Sequence, residues 1–411
     1  MGMLLFDPNP GGGTFQVRIK VFGVGGGGCN AIDTMILQGM QKVSFVAVNT
    51  DHQCLTRSQA HKKLQIGTGL TGGLGAGANP LVGRQAAEES LDKILEAMED
   101  MDICIVIAGM GGGTGTGAAP IIAKTARERG KMVIAFVTTP FGFEGKHRHK
   151  NAMGGLDELR ESANTLIVVP NEKLFDMITE DTTLVDAFKK VDIILMEAVR
   201  SLTRMILEPS MINLDFADVR TVMSIAGQSV ISFGEGMGVH RALNSVDAAL
   251  SNVLVESNRL KSAKGLLVNI VGGPDLTLHE VTKSVRKLQG IIHPDANIIF
   301  GANVDPAVGD KVMVTLIATG IEDSASEDPP RVGFYQAIEP EDKRENEKQN
   351  RFHKKYSEDR TEEPQLTFDP LPQESEDDLD VPTYLRRNKR YQGSTGFGGS
   401  TGQGVSGKEW D

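Results

Sequence analysis

The sequence predicts an α/β fold: a mainly parallel sheet with helices packed on it, a long central helix, a second α+β domain, and then a tail with no core of its own. Three observations carry this. From about Val17 to Ile321, short apolar runs alternate with segments of helical periodicity, the pattern of parallel strands joined by crossover helices. Glycine clusters stand directly after several early apolar runs, where such a fold turns from strand into helix. After Glu322 the sequence changes to stretches such as EDSASEDPPR and EPEDKRENEKQNRFHKK, too charged and too poor in apolar residues to offset the entropy of ordering.

The elements follow in order. VRIKVFGV reads as a strand running into GGGGCNAIDTMI, a glycine loop followed by a helix, and SFVAVNTD is the second strand. Gly23, Gly25 and Gly28 fit GxGxxG, with Asp51 farther on as in a dinucleotide-binding fold, yet a dinucleotide site uses one glycine loop. This chain has two more before residue 120: GTGLTGGLGAGANP from Gly67 to Pro80, and AGMGGGTGTG from Ala108 to Gly117. Three such loops suit one nucleoside triphosphate held from several sides. The third lies between the apolar run ICIVI and the helical AAPIIAKTARE, and it is mostly glycine and threonine. Backbone N–H groups can therefore converge on an anion that also meets a helix N-terminus. No lysine follows Gly117, so it is not a Walker A loop. NPLVGRQAAEESLDKILEAME reads as helix, and MVIAFVTTP, NTLIVVPN, GLLVNIVG and VMVTLIATG as buried strands. The helical pattern from Thr183 to Met205 separates the two domains, its apolar stripe being core.

Composition sets limits. With 411 residues and 40% hydrophobic content, the chain can bury one large core or two medium ones. A net charge of −11 argues against general nucleic-acid binding. Cys29, Cys54 and Cys104 form no CxxC pair and leave an odd count, which points away from a disulfide framework or zinc site and toward a reducing cytoplasm. Pro8 and Pro10 break the N-terminal segment too early for a signal peptide, and no apolar stretch reaches membrane-spanning length. His147 and His149 have metal-like spacing, but the flanking cations of KHRHK favour phosphate or solvent contact.

Gly111 to Gly117, GGGTGTG, resembles the signature loop of the tubulin and FtsZ family of GTPases. VNTD, GLGAGANP, FEGKxR, PNEKL, DAF and NLDFADVRTVMS follow in the family's order over roughly residues 17 to 321. The resemblance implies a tubulin/FtsZ-like, Rossmann-like GTPase domain at 17–182, a central helix at 183–206 and a second α+β domain at 207–321. It implies GTP or GDP with Mg²⁺ as cofactors. By position, Gly25, Gly26, Gly27, Gly77, Gly111, Gly112, Gly113, Gly115 and Gly117 would cradle phosphates, with Thr114 and Thr116 offering hydroxyls. Asn30 would lie near guanine, Glu144 and Arg148 would hold the ribose, and Asn171 belongs to the next nucleotide loop. Phe188 would stack on the base and Asp192 accept from guanine N1 and N2, a pairing adenine cannot offer. An unpaired carboxylate between Val191 and Ile193 would be costly, so Asp192 is expected to have a partner in the fold.

Without the resemblance, Asp215 and Asp218 read as a helix N-terminal pair. With it, Asn213, Asp215 and Asp218 belong to a loop that completes the nucleotide site of the next subunit, so the chain is expected to form a homopolymer that hydrolyses GTP at its interfaces. The implied role is the cytokinetic ring of bacterial division, in the cytoplasm at mid-cell. A flexible segment at 1–16, a disordered acidic linker at 322–376 and a Gly/Ser-rich extension at 391–411 flank these parts. Residues 377–390, DDLDVPTYLRRNKR, are similar to the family's tail peptide that docks on membrane-tethering adaptors. The chain departs from the family pattern at Cys29 and Thr34, at GVHRA from Gly238 to Ala242, and at SNVLVESNRLK from Ser251.

Overall fold

A computed structural model describes residues 17–322 apart from 178, 180, 209–210, 213–214 and 253–259. Asn213 and the expectations for residues 1–16, 323–376, 377–390 and 391–411 lie outside the described residues. Within them, ten strands form one sheet in the order β3-β2-β1-β4-β5-β6-β7-β10-β8-β9. The strands are β1 (Ile19–Val24), β2 (Ser44–Asn49), β3 (Lys62–Gln65), β4 (Ile103–Gly109), β5 (Met132–Thr139), β6 (Thr165–Pro170), β7 (Gln228–Gly236), β8 (Gly265–Gly272), β9 (Asn297–Val304) and β10 (Val312–Ile321). The first six are parallel and follow the doubly wound order 3-2-1-4-5-6.

Alternation along β4 shows why its apolar run is unbroken. Ile103, Ile105 and Ile107 face one core cluster, and Cys104, Val106 and Ala108 the other, all fully buried. A parallel sheet covered on both faces has no polar side to display. The first face is covered by α1 (Gly25–Leu37) and α8 (Leu184–Leu207). The second is covered by α4 (Pro80–Glu89), α5 (Leu91–Ala97), α6 (Thr114–Glu128) and α7 (Lys146–Ser162). The short helices α2 (His52–Arg57) and α3 (Thr68–Thr71) lie in the connections between β2 and α4.

The expected single helix from Asn79 to Glu99 is two helices, α4 and α5, parted at Ser90. Ser90 leaves helical geometry, and its hydroxyl accepts from the Gly67 N–H at 2.9 Å, anchoring the second glycine loop. The first loop also differs: α1 begins at Gly25, directly after β1, so the glycines are themselves the first helical turn.

The second half carries α9 (Phe216–Met223), α10 (Arg241–Leu250) and α11 (Leu278–Gln289). Here β10 runs antiparallel between β7 and β8. It joins the first half edge to edge, β6 pairing with β7 at Ile167 and Ser229, while the Thr165 hydroxyl donates to the Met223 carbonyl. The central helix therefore bridges one continuous sheet. Leu195, Met196, Val199 and Leu202 of α8 share a core cluster with Ile105 of the first half and with Ile231, Leu267 and Ile317 of the second. Its start is fixed by Thr183, whose hydroxyl accepts from the Asp186 N–H at 3.1 Å.

Arg241 is the most committed charge in the second half, 7% exposed. It donates to Glu280 at 2.9 Å, to Asp275 at 2.8 Å and to the Asp310 carbonyl at 3.2 Å, tying α10 to α11 and to the turn before β10. The Arg241 guanidinium holds the Glu280 carboxyl down to about 2. Because the folded value lies below the ordinary one, this stabilisation is full above about pH 4.5 and lost as pH falls toward 2. Arg241→Met is expected to lower unfolding free energy by about 1.5–3 kcal/mol at neutral pH, since it removes the charge-assisted hydrogen bonds that the buried guanidinium donates. Denaturant melts at pH 7 and pH 3 should show the gap between variant and wild type narrowing at the lower pH.

Candidate nucleotide-binding site

The sheet order creates a crevice at the carboxyl ends of β1 and β4, because α1 leaves β1 on one face and α6 leaves β4 on the other. Two glycine-rich backbones meet there. Gly25 has φ +73°, and a Cβ on it would stand 2.7 Å from the Gly115 nitrogen, so any side chain would push α1 and α6 apart. Gly111 has φ +101° and lies equally close to the Arg148 carbonyl oxygen, where a Cβ would come within 2.8 Å. Other glycines face space: a Cβ on Gly26, Gly112 or Gly77 would meet nothing within 4 Å. Neither α1 nor α6 has a side-chain cap, so their first N–H groups remain available to an anion.

Thr114 and Thr116 work inside the loop. The Thr116 hydroxyl accepts from the Gly111 N–H at 2.8 Å, and Thr114 shares a hydrogen bond of 2.6 Å with buried Thr50. Both hydroxyls thus brace the loop from within. Asp51, the acidic residue of the dinucleotide pattern, instead caps α2 by accepting from the Gln53 N–H at 2.8 Å.

The other expected residues gather on the β5 and β6 side. Glu144 and Arg148 form an ion pair across one turn, and Glu144 also accepts from the Phe141 N–H at 2.9 Å. Asn171 is 5% exposed and its Oδ1 has no hydrogen-bond partner, an orphaned acceptor beside this cluster that suits a ligand donor. Phe188 is 39% exposed and meets Phe141 edge to face at 5.4 Å, while Phe141 also packs on Phe143 and Phe175. Asn30 is exposed on α1 one turn before Thr34. The expected partner of Asp192 is Thr34, whose hydroxyl donates to it at 3.5 Å, a long bond that only partly offsets burial. Burial lifts the Asp192 carboxyl to about 7. Lys146 to Lys150 are all exposed on α7.

The acidic pair stands elsewhere. Asp215 caps α9, accepting from the Ala217 N–H at 3.2 Å, and Asp218 is exposed in the same first turn. α8 runs alongside α1 away from the crevice: Thr34 meets Asp192, Gln38 meets Arg200, and Lys42 meets Glu208 at 3.3 Å. Twenty-four helical residues span about 36 Å, and the eight from Glu208 to Asp215 reach at most about 29 Å. Ile212 bridges to Ala302 of β9, at the sheet edge six strands beyond β4, so the pair stands away from the glycine loops. Among the described residues no three His, Cys, Asp or Glu side chains cluster so as to hold a metal. Sequence reasoning missed Thr50 and the phenylalanine cluster around Phe141; FGF and PNEKLF carried the aromatic signal, but nothing in their spacing joins them.

Residues 18–179 match the family described as "Tubulin/FtsZ family, GTPase domain", and residues 227–322 match "FtsZ family, C-terminal domain". FtsZ of M. jannaschii, solved as an empty dimer, is 42% identical, with a TM-score of 0.70 over 74% of this chain and 88% of that one. The chain belongs to the tubulin/FtsZ family. Cell division protein FtsZ of Magnetospirillum gryphiswaldense is 45% identical over 312 residues, 76% of this chain and 56% of that protein. FtsZ 1 of Rhizobium meliloti is 42% identical over 323 residues, 79% and 55% respectively. The chain thus spans little more than half the length of these relatives. The fold extends to CetZ1 of Haloferax volcanii, solved as a GDP-bound monomer, 19% identical with a TM-score of 0.65 over 75% of this chain and 95% of that one. No helix among the described residues is long and apolar enough to cross a membrane.

The raised Asp192 carboxyl fixes a pH dependence. The folded state keeps a proton that the unfolded state releases, so the contribution is full below the ordinary value of 3.8 and lost as pH rises through about 7. Thermal melts of nucleotide-free protein should show stability falling from pH 5 to pH 8. Asp192→Asn should flatten that slope and melt higher than wild type at pH 8.

Proposed function

We propose that this chain is a self-assembling GTPase that binds GTP or GDP with Mg²⁺ in the β1–β4 crevice, polymerises head to tail, and hydrolyses GTP where α9 of one copy meets the glycine loops of the next. The observation that carries this reading is the separation within one chain of a glycine-lined anion crevice from the exposed acidic pair Asp215 and Asp218. A crevice and carboxylates at opposite ends of one helix can act on the same phosphate only across two copies.

The backbone N–H groups of Gly25 to Gly27 and Gly111 to Gly117 hold the phosphates, and the two uncapped helix ends favour their charge. Glu144 and Arg148 take the ribose, and Phe188 covers the base with an already half-exposed ring. Asp192 accepts from guanine N1 and N2, which favours its ionised form and repays its burial, with Asn30 and the unpartnered Asn171 as further polar contacts. Mg²⁺ fits as an ion carried mainly by phosphate and water oxygens, given no cluster of three protein ligands among the described residues. Its chemistry is to neutralise charge developing on the phosphates. Asp215 and Asp218, with Asn213, orient and polarise the attacking water, and loss of the γ-phosphate weakens the contact between copies.

Support from relatives is of the same kind. The M. jannaschii FtsZ structure is described as a dimer, and the bacterial relatives are named cell division proteins. A ring at mid-cell is accordingly the proposed setting, with residues 377–390 docking on membrane-tethering adaptors.

Phosphate release from GTP, measured against protein concentration with sedimentation of the same samples, tests the shared site. Turnover per molecule should appear only above a threshold that coincides with pelleting. Pelleting without phosphate release would instead make the chain a filament scaffold. Asp218→Ala is expected to keep nucleotide binding and pelleting while lowering turnover about 100-fold or more, the scale of a lost water-activating group. Phe188→Ala should weaken binding of a fluorescent GTP analogue about tenfold, the scale of one lost base–aromatic stack.

A further inference from the structure

Between the second and third glycine loops stands a residue to which the nucleotide reading gives no role, Thr50. It follows β2 directly and is 0% exposed. Its backbone is fixed from both sides: the Ile66 N–H donates to the Asn49 carbonyl and the His52 N–H to the Gly73 carbonyl, each at 3.0 Å, while Asp51 bridges to Leu74. The Asp51 N–H also donates to the Asn49 side chain at 3.2 Å, closing the turn around Thr50. The side chain crosses to the third loop, where its hydroxyl oxygen lies 2.6 Å from that of Thr114, the first residue of α6.

Counting protons decides the direction of that hydrogen bond. Each hydroxyl carries one proton and can also accept. A bond between the two uses one proton and leaves the other to find an acceptor elsewhere. Among the described residues, neither hydroxyl has another hydrogen-bond partner. If Thr114 donated, the Thr50 proton would be left where there is neither water nor acceptor, and its desolvation would go uncompensated. With Thr50 as donor, the spare proton belongs to Thr114, which is 9% exposed and stands at the uncapped start of α6. A β-branched side chain such as Thr50 is stiff at χ1, so the donor is held in place by its own backbone.

We propose that Thr50 is a positioning residue: it donates to Thr114 and thereby keeps the Thr114 proton aimed at an anionic oxygen of the ligand between the glycine loops. The proposal rests on the nucleotide reading above and adds to it a residue that acts through another without touching the ligand. The O–H···O⁻ bond from Thr114 is charge-assisted, so its orientation matters more than that of a neutral pair. Without Thr50, the Thr114 hydroxyl turns freely, and the ligand itself must order it on binding.

A double-mutant cycle in the full chain tests this, read as affinity for a fluorescent GTP analogue. Thr50→Val keeps the shape and removes the donor, and it should weaken binding about five- to tenfold, the scale of one hydrogen bond to a charged group. Thr50→Ser restores the donor and should bind within about twofold of wild type. Thr114→Val should lose at least as much as Thr50→Val, and the double variant should bind no more weakly than Thr114→Val alone. Thr50→Ala removes the hydroxyl without setting a methyl group against Thr114; it should show the same loss and replaces Thr50→Val if that variant melts early. Wild-type affinity in Thr50→Val and Thr50→Ala, no recovery in Thr50→Ser, or losses that add in the double variant each overturn the role of Thr50 and leave the nucleotide site standing. A wild type that does not bind the analogue overturns the nucleotide reading, and the role of Thr50 with it.

Discussion

The structure depends on one close approach, that of two backbones with no side chain between them at the carboxyl ends of β1 and β4. Gly25 faces Gly115, and Gly27 faces Gly109. Because those contacts are backbone to backbone, α1 and α6 can start on opposite faces of the sheet and still open their first N–H groups into one crevice. The bracing hydroxyls of Thr50, Thr114 and Thr116 then hold the loop without filling the space in front of it. Any larger residue at Gly25 would move a helix before it touched a ligand.

A second constraint follows from how α8 is packed. Had the two halves been separate layers joined by a helical linker, they could turn independently. Instead the β6–β7 pairing makes one sheet, and α8 lies in a core shared by both halves. Its first turns hold Phe188 and Asp192, and its last residues lead toward α9. A packed, capped helix thus joins the crevice end of the molecule to the end near the acidic pair, the physical route that the proposed coupling of nucleotide state to a contact between copies would use.

Much of this was legible in the residues, for reasons that differ from place to place. ICIVI could only be a strand buried on both faces, and GGGTGTG a segment where backbone approaches something closely, although its last four residues are already the first turn of α6. The break at Ser90 was not legible, because its cause is a hydrogen bond to Gly67, which is twenty-three residues distant and visible only once folded. The same holds for Thr34, read as a departure from the family and found to be the hydrogen-bond partner of Asp192. Local pattern reports propensity and burial. It does not report which polar groups tertiary packing brings together. The single sheet was missed on that ground too, since one bridge between β6 and β7 leaves no periodic trace.

In the role proposed for it, Asp192 would show why a site can keep a residue that the empty fold would do better without. Its carboxylate is largely withdrawn from water and receives one long hydrogen bond, so ionising it costs stability in the absence of ligand. Replacing it by a neutral residue would relieve that cost. In the guanine contact proposed for it, the carboxylate would offer a differential: a ligand presenting two adjacent N–H donors would satisfy it, whereas one presenting an acceptor would leave two acceptors opposed in a poorly hydrated place. The penalty in the empty state and the discrimination in the filled state thus have the same origin, so a chain that relieved the first would forfeit the second.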